Sequence, residues 1–356
     1  MLQSVGKYSF ANAKIHARLS SLLTRETIAK LTAARDLPEF YAALRGTAYE
    51  SVFANPEAVA DSRLAEQLLV EQEVQWHMDL IKALKEPERS LIATMLERYE
   101  LENLKVALRV REGEREKREL SYIIRKELPH KLPYESIAAA RTLEEVLPYL
   151  EHTPYLSPLK KSLDDVKQRG TLFPAEIALE LDLYRRINAC VEALSRRDRP
   201  VARKLIGIEI DLRNIIWLVR LKFYCGVPSG DLVNYNMPGG YRLTNRQLRH
   251  AFLPDSMKDV FTILGLITLE REFRLAADLL RDEGELGKLY FIEIVLWKYM
   301  LTETRKILGG YPFTIGTVLG YLIMKRNEIR NVITILNGIA LKLEKSEIES
   351  QLRTAY

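Results

Sequence analysis

Cysteine is almost missing from this chain of 356 residues: there are two, Cys190 and Cys225. Neither stands at metal-like spacing from another ligand, which excludes a disulfide scaffold and fits a reducing compartment. Glycine (17) and proline (14) are also scarce, below average usage. A chain of many tight β-turns is therefore excluded, and helix formers fill almost every stretch between the few Gly/Pro clusters. Long apolar runs are missing as well. The longest, Val260 to Leu269, is interrupted by Thr262 and Gly265 and falls well short of the ~20 residues that a membrane-spanning helix needs. The opening MLQSVGKYSFANAKIHARL lacks the basic-then-apolar order of a secretory signal. The expectation is a protein soluble in itself, able to dock on a membrane complex.

Charge of a single sign is missing too. With 53 basic and 48 acidic residues the net charge is only +5, and the signs are interspersed, so there is no nucleic-acid footprint. The densest charged run, Arg109 to Arg118, alternates with glutamates and reads as a solvated helix face.

The usual chemical signatures are equally absent. No G-x-x-x-x-G-K-[ST] occurs, and no G-x-G-x-x-G follows a strand, so no nucleotide is expected to bind. The five histidines, His16, His77, His130, His152 and His250, include no pair at the four-residue spacing of a helical zinc site. There is no G-x-S-x-G elbow, and neither cysteine has a histidine partner in sequence. Asp164 and Asp165 are the one paired-carboxylate run that could suggest a magnesium site. No second acidic cluster follows it, so it reads as an exposed helix turn. No catalytic residue, cofactor or metal is expected, and a helical protein of this kind works through shape and surface.

What the sequence does have is repetition. The run ELENLKVALR, Glu100 to Arg109, returns as DLRNIIWLVR, Asp211 to Arg220, and as EIRNVITILN, Glu328 to Asn337. Asn103, Asn214 and Asn331 stand 111 and 117 residues apart. Aliphatic residues at offsets 1, 4 and 8 from the acid, such as Leu101, Leu104 and Leu108, or Leu212, Ile215 and Val219, draw one stripe along an α-helix. Acid and Asn share a neighbouring edge of it. The expected role is structural: Asn capping or bonding a neighbouring helix, and the acid pairing with a basic residue.

A second motif recurs in the same order. RDLPEFYAALRGTAYE has Leu37, Glu39, Leu44, Thr47 and Tyr49, and RTLEEVLPYLEHTPYL matches them with Leu143, Glu145, Leu150, Thr153 and Tyr155, 106 residues on. His152 occupies the place of Gly46, which suits a surface turn. SMKDVFTILGLITL is a fainter third copy, keeping Met257, Asp259 and Leu264. Between the motifs lie long amphipathic stretches, Ser62 to Leu84, Glu176 to Leu194 and Leu286 to Leu308, carrying Trp76, Tyr184 and Trp297 as core anchors. Thr24 reads as an N-cap. Gly113, and the Gly/Pro-dense passage Gly226 to Gly240, mark breaks. The expected units are therefore 1–113, 114–226 and 240–356, with 227–239 as a linker.

Together YSFANAKIHARLSSLL, DLPEFYAALRGTAYE, YELENLKVALRVR and RNEIRNVITILNGIALKLEKSEIESQL resemble the C-subunit family of archaeal and bacterial V/A-type rotary ATPases, related to the d subunit of eukaryotic V-ATPases. The resemblance runs from Tyr8 to about Leu352. It implies an all-α protein of three similar helical domains in a pseudo-threefold, funnel-shaped arrangement. It also implies a non-catalytic central-stalk socket joining the D and F subunits of the shaft to the membrane proteolipid rotor ring, peripheral on the cytoplasmic face. The family's recurring motif falls on Glu100, Asn103 and Arg109, on Asp211, Asn214 and Arg220, and on Glu328 and Asn331; Asn337 replaces the basic residue in the third copy. A generic helical adaptor, whose groove takes a helix or peptide of an unrelated partner, is the alternative.

Overall fold

A computed structural model describes residues 2–268, 270–279 and 289–353. All regular elements among them are helical, as the period of the apolar residues requires. In chain order the α-helices are α1 (Leu2–Leu19), α2 (Arg25–Thr32), α3 (Leu37–Ala43), α4 (Glu50–Phe53), α5 (Pro56–Ala60), α6 (Ser62–Ala83), α7 (Glu88–Arg111), α8 (Tyr134–Ala139) and α9 (Leu156–Arg169). They continue with α10 (Phe173–Ala193), α11 (Asp198–Val219), α12 (Asn245–Ala251), α13 (Met257–Thr268), α14 (Arg271–Leu279), α15 (Leu289–Leu308), α16 (Ile315–Ala340) and α17 (Lys345–Ser350). Among the described residues no helix is long and apolar enough to cross a membrane.

The chain forms two compact units, Ala48–Cys190 and, discontinuously, Met1–Thr47 with Val191–Tyr356. The first is built on α6 and α7, which pack together while α8 lies on α7. Val74, Leu96, Tyr99, Ile124 and Leu128 form one of its apolar clusters, with Val70, Met78 and Ile81 against them. In the discontinuous unit α11, α15 and α16 pack on one another, α1 and α3 contact α16, and α17 contacts α2. Helices α1, α2 and α3 of this unit thus lie against α16 and α17 from the far part of the sequence.

The long amphipathic stretches are the helices α6, α10 and α15; residues 286–288 of the third stretch, like Leu269, lie outside the described residues. Tyr184 and Trp297 are buried, as core anchors should be. Trp76 is only half-buried, with its ring edge-on to Tyr49 at 6.1 Å. The charged run from Arg109 is not one helix face. α7 stops at Arg111, because Gly113 takes a left-handed φ of 76° that ends the helix, and the residues after it are exposed.

The second motif repeats down to its hydrogen bonds. Asp36, Thr142 and Ser256 each accept the backbone N–H three residues on, of Glu39, Glu145 and Asp259. Glu39 and Glu145 reach back to the N–H of Arg35 and Arg141, the residues just before Asp36 and Thr142. Leu44, Leu150 and Leu264 are wholly buried. Gly46 and His152 both take a left-handed φ, of 73° and 64°, which explains why the turn tolerates glycine in one copy and a non-β-branched residue in the other. Thr24 caps α2 by accepting from Thr27 N–H.

Candidate functional site

In the unit Ala48–Cys190, the stripe of α7 is buried through Leu101, Leu104 and Leu108, which turns the edge carrying Glu100 and Asn103 inward as well. Asn103 meets the backbone of Ile124 with both ends of its amide: its Nδ2 donates to the Ile124 carbonyl at 2.9 Å, and its Oδ1 accepts from the Ile124 N–H at 3.0 Å. Glu100, fully buried, accepts from the backbone N–H of His130 at 2.9 Å, from His130 Nδ1 at 2.6 Å, and from the Tyr155 hydroxyl at 2.9 Å. Hydrogen bonding to this carboxylate holds the His130 imidazole above its ordinary value of 6.5, against the pull of burial. Burial, more than the carboxylate beside it, pushes the Tyr155 hydroxyl up as well.

The second copy, on α11, does the same with different donors. Asn214 takes both backbone groups of Met237, donating at 2.9 Å and accepting at 2.8 Å. Asp211 accepts three consecutive backbone N–H groups, from Tyr241 at 3.1 Å, Arg242 at 2.6 Å and Leu243 at 3.3 Å. The backbone comes this close because position 240 is glycine: a Cβ there would stand 2.2 Å from Asp211 Oδ1 and 2.8 Å from the Leu243 carbonyl. Burial pushes the Asp211 carboxyl up to about 7, against the pull of those three amides.

The third copy, on α16, lies near the end of the chain. Asn331 takes both backbone groups of Arg353, at 3.2 and 3.0 Å, and Asn327 donates to the same carbonyl at 3.0 Å. Glu328 is buried. Its partners are the backbone N–H of Leu23, just before α2, and Lys325 Nζ at 2.6 Å. Leu23 takes the place that His130 and the Tyr241 to Leu243 amides take in the other copies: each precedes a short helix, α2, α8 or α12, that leads into the second motif.

The sequence that carries these clasps is similar to known proteins over nearly the whole chain. A sequence model of the ATP synthase (C/AC39) subunit family matches residues 11–351. The chain belongs to that family. It is 25% identical over 345 residues to the C subunit of the A-type ATP synthase of Pyrococcus horikoshii, covering 96% of this chain and 89% of that one. It is 27% identical to the corresponding subunit of Thermococcus gammatolerans, over 96% of this chain and 88% of the relative. To that of Methanocaldococcus jannaschii it is 21% identical, over 99% and 88%.

In this family member the motif residues hold local structure. The amides are bonded to the chain 21 to 23 residues downstream, not to a helix cap. Glu100 and Glu328 each meet a basic side chain, of His130 and Lys325, whereas Asp211 meets a row of backbone amides where sequence alone predicts a basic side chain. The basic end of the motif pairs with the long helix that follows: Arg109 forks Glu176 at 2.6 and 2.8 Å, and Arg220 stands 3.5 Å from Glu293. Asp164 and Asp165 are exposed on α9. Among the described residues no three His, Cys, Asp or Glu side chains gather as a metal site.

The repeated motif names the acids and amides but not the segments that receive them. His130 looks like one more scattered histidine, although it stands 30 residues from Glu100, the distance that also separates Asp211 from Tyr241. Gly239-Gly240 reads as a break, whereas Gly240 is where the backbone closes on Asp211. The recurring interval of about 30 residues is the signal that points to both.

Proposed function

We propose that this chain is the non-catalytic central-stalk subunit of a V/A-type rotary ATP synthase or ATPase, a socket that seats the D and F subunits of the shaft and couples them to the proteolipid rotor ring. The observation that carries this reading is the family match over residues 11–351. In this reading the three clasps mark three similar helical domains, 1–113, 114–226 and 240–356 with 227–239 as linker, arranged pseudo-threefold as a funnel. The protein then works at the cytoplasmic face of the membrane as a peripheral part of the complex. It binds no nucleotide or nucleic acid, and it transmits torque for ion transport.

Physical reasoning supports the role. A torque coupler needs segments that do not yield, and tying the segment after each long helix to a buried amide, and in the first two copies to a buried acid as well, makes its position depend on several hydrogen bonds breaking together. Packed helices resist deformation for the same reason that cores resist volume change.

Reconstitution tests the reading. The purified chain, mixed with the D and F subunits, should form a stable complex by size exclusion, and adding it to detergent-solubilised proteolipid ring should join shaft and ring in one particle. Absence of both associations would sink the socket reading and leave the general helical adaptor.

A further inference from the structure

In the unit Ala48–Cys190 an open groove of about 450 Å³ runs between the end of α7, the segment Arg141 to Glu144 and the joint of α9 with α10. Such a volume lies within the range of sites that take small ligands or single side chains with their flanks. Leu143, Leu163 and Val166 supply apolar lining, Thr142 and Thr171 hydroxyls, and Arg111, Arg141 and Lys167 positive charge.

Arg111 carries the argument. Its side chain is 7% exposed, yet its Nε has no acceptor among the described residues. One Nη donates to the Arg141 carbonyl at 3.1 Å, and the other meets Glu112. A buried guanidinium donor left without an acceptor is costly, and far costlier than an exposed one. Burial accordingly draws Arg111 below its ordinary value.

The second repeat shows what a purely structural residue does here. Lys222, two residues beyond Arg220 as Arg111 is two beyond Arg109, is equally buried at 7% exposed. It donates to Ser229 Oγ at 2.8 Å, to the Phe252 carbonyl at 2.8 Å and to the Leu253 carbonyl at 3.2 Å. Its three protons thus all have acceptors within the chain, and the Phe252 contact lies 30 residues downstream, as Arg111's contact with Arg141 does. Anchoring that segment needs only an ammonium. The arginine makes the same anchor and, on a residue that lines the groove, leaves a further buried N–H without an acceptor.

We propose that this groove binds the carboxylate of a glutamate or aspartate side chain presented by a partner protein, with Arg111 Nε as its buried donor. A single carboxylate fits better than a phosphate dianion, because Glu112, Glu114 and Glu144 also line the groove and would repel the second charge. A side chain fits better than a free anion, because the apolar lining receives its aliphatic stem.

The test is a methyl NMR titration of the full chain, following Leu163 and Val166, with acetyl-Leu-Glu-Leu-amide, its Gln counterpart, glutarate and inorganic phosphate. The Glu peptide should shift both residues saturably and bind about tenfold more tightly than the Gln peptide, the ratio expected of one charge-assisted hydrogen bond. Arg111→Gln should abolish that preference. Lys167→Glu, at a position on α9 where an exposed Lys167 pairs with Glu144 at 2.5 Å, a surface pair of the kind that contributes little to stability, should weaken the Glu peptide several-fold and decides the matter if Arg111→Gln fails to fold. No saturable shift, equal binding of the two peptides, or indifference to Lys167→Glu would overturn the proposal. Glutarate or phosphate binding as tightly as the peptide would overturn the partner side chain as the source.

Discussion

The clasps of Glu100 and Asp211 perform one task with different chemistry. Glu100 is held by side chains as well as backbone, through the His130 ring and the Tyr155 hydroxyl. Asp211 is held by three successive backbone amides alone. The difference teaches that the position on the helix is fixed while the donors are free to vary, provided that the buried carboxylate finds enough of them. Each solution brings its own vulnerability: a titrating ring in the first, a glycine in the second.

The largest effect should come from that glycine. Gly240→Ala places a methyl group 2.2 Å from Asp211 Oδ1 and 2.8 Å from the Leu243 carbonyl, so the amide row must move off the acid. A loss of about 3 kcal/mol by denaturant unfolding is expected, as for overpacking with loss of buried hydrogen bonds. Pro129→Ala, at the corresponding place before His130, should stay within about 1 kcal/mol. Equal losses at both positions would remove the contrast between the clasps.

The amides come next. Asn214→Leu and Asn103→Leu each orphan a buried backbone N–H and C=O, of Met237 or Ile124, at an expected ~2–3 kcal/mol. Asn331→Leu should cost about half as much, because Asn327 also serves the Arg353 carbonyl. None of the three should produce a separate defect beyond lost stability, and a fully stable Asn214→Leu would refute the structural role of the motif.

The pH dependence separates the two acids. The His130 imidazole is raised above its ordinary 6.5 by its hydrogen bond to Glu100. Its contribution is therefore complete below pH 6.5 and is lost as pH rises through the raised value. Asp211, raised by burial from 3.8 to about 7, destabilises progressively as pH climbs from 3.8 to about 7 and is constant above that. Both slopes run downward with pH, but in different windows, each at most ~1.4 kcal/mol per pH unit. His130→Asn should flatten the melting temperature above about pH 7, where Asp211 no longer contributes, while leaving the slope between pH 5 and 6.5; a slope lost equally in both windows would contradict the assignment.

Much of this is legible in the sequence and the rest is not, for one reason. Helices and their buried stripes follow from local period, so the acid and amide of each copy can be named, and the caps at Asp36, Thr142 and Ser256 lie in the motifs themselves. What each acid binds is decided by where the chain returns after 20 to 30 residues of irregular backbone. No period marks such segments: Ile124 and Met237 look like any aliphatic residues, and Leu23 serves Glu328 across a separation of 305 residues. The groove at Arg111 is hidden differently, since its meaning comes from comparison with Lys222, and both look like ordinary charges at a helix end.

The smallest effects should separate the basic ends of the motif. Arg109 meets Glu176 through two parallel contacts at 2.6 and 2.8 Å, with its own side chain 34% exposed and that of Glu176 12%. Arg220 approaches Glu293 through one contact at 3.5 Å and is 53% exposed, while Glu293 also pairs with Arg353. Fork geometry and partial burial are the conditions under which an ion pair is worth measuring, and a single exposed contact contributes close to nothing. Arg109→Ala should therefore cost about 1 kcal/mol, with part of that loss vanishing in 1 M salt, and Arg220→Ala should stay within ~0.5 kcal/mol at any salt. Asn337 already stands at the third position, so a motif that loses its cation without losing its clasp is built into the chain. If Arg220→Ala matched Arg109→Ala, the cation would belong to the clasp after all, and the third copy would have to be the weakest of the three.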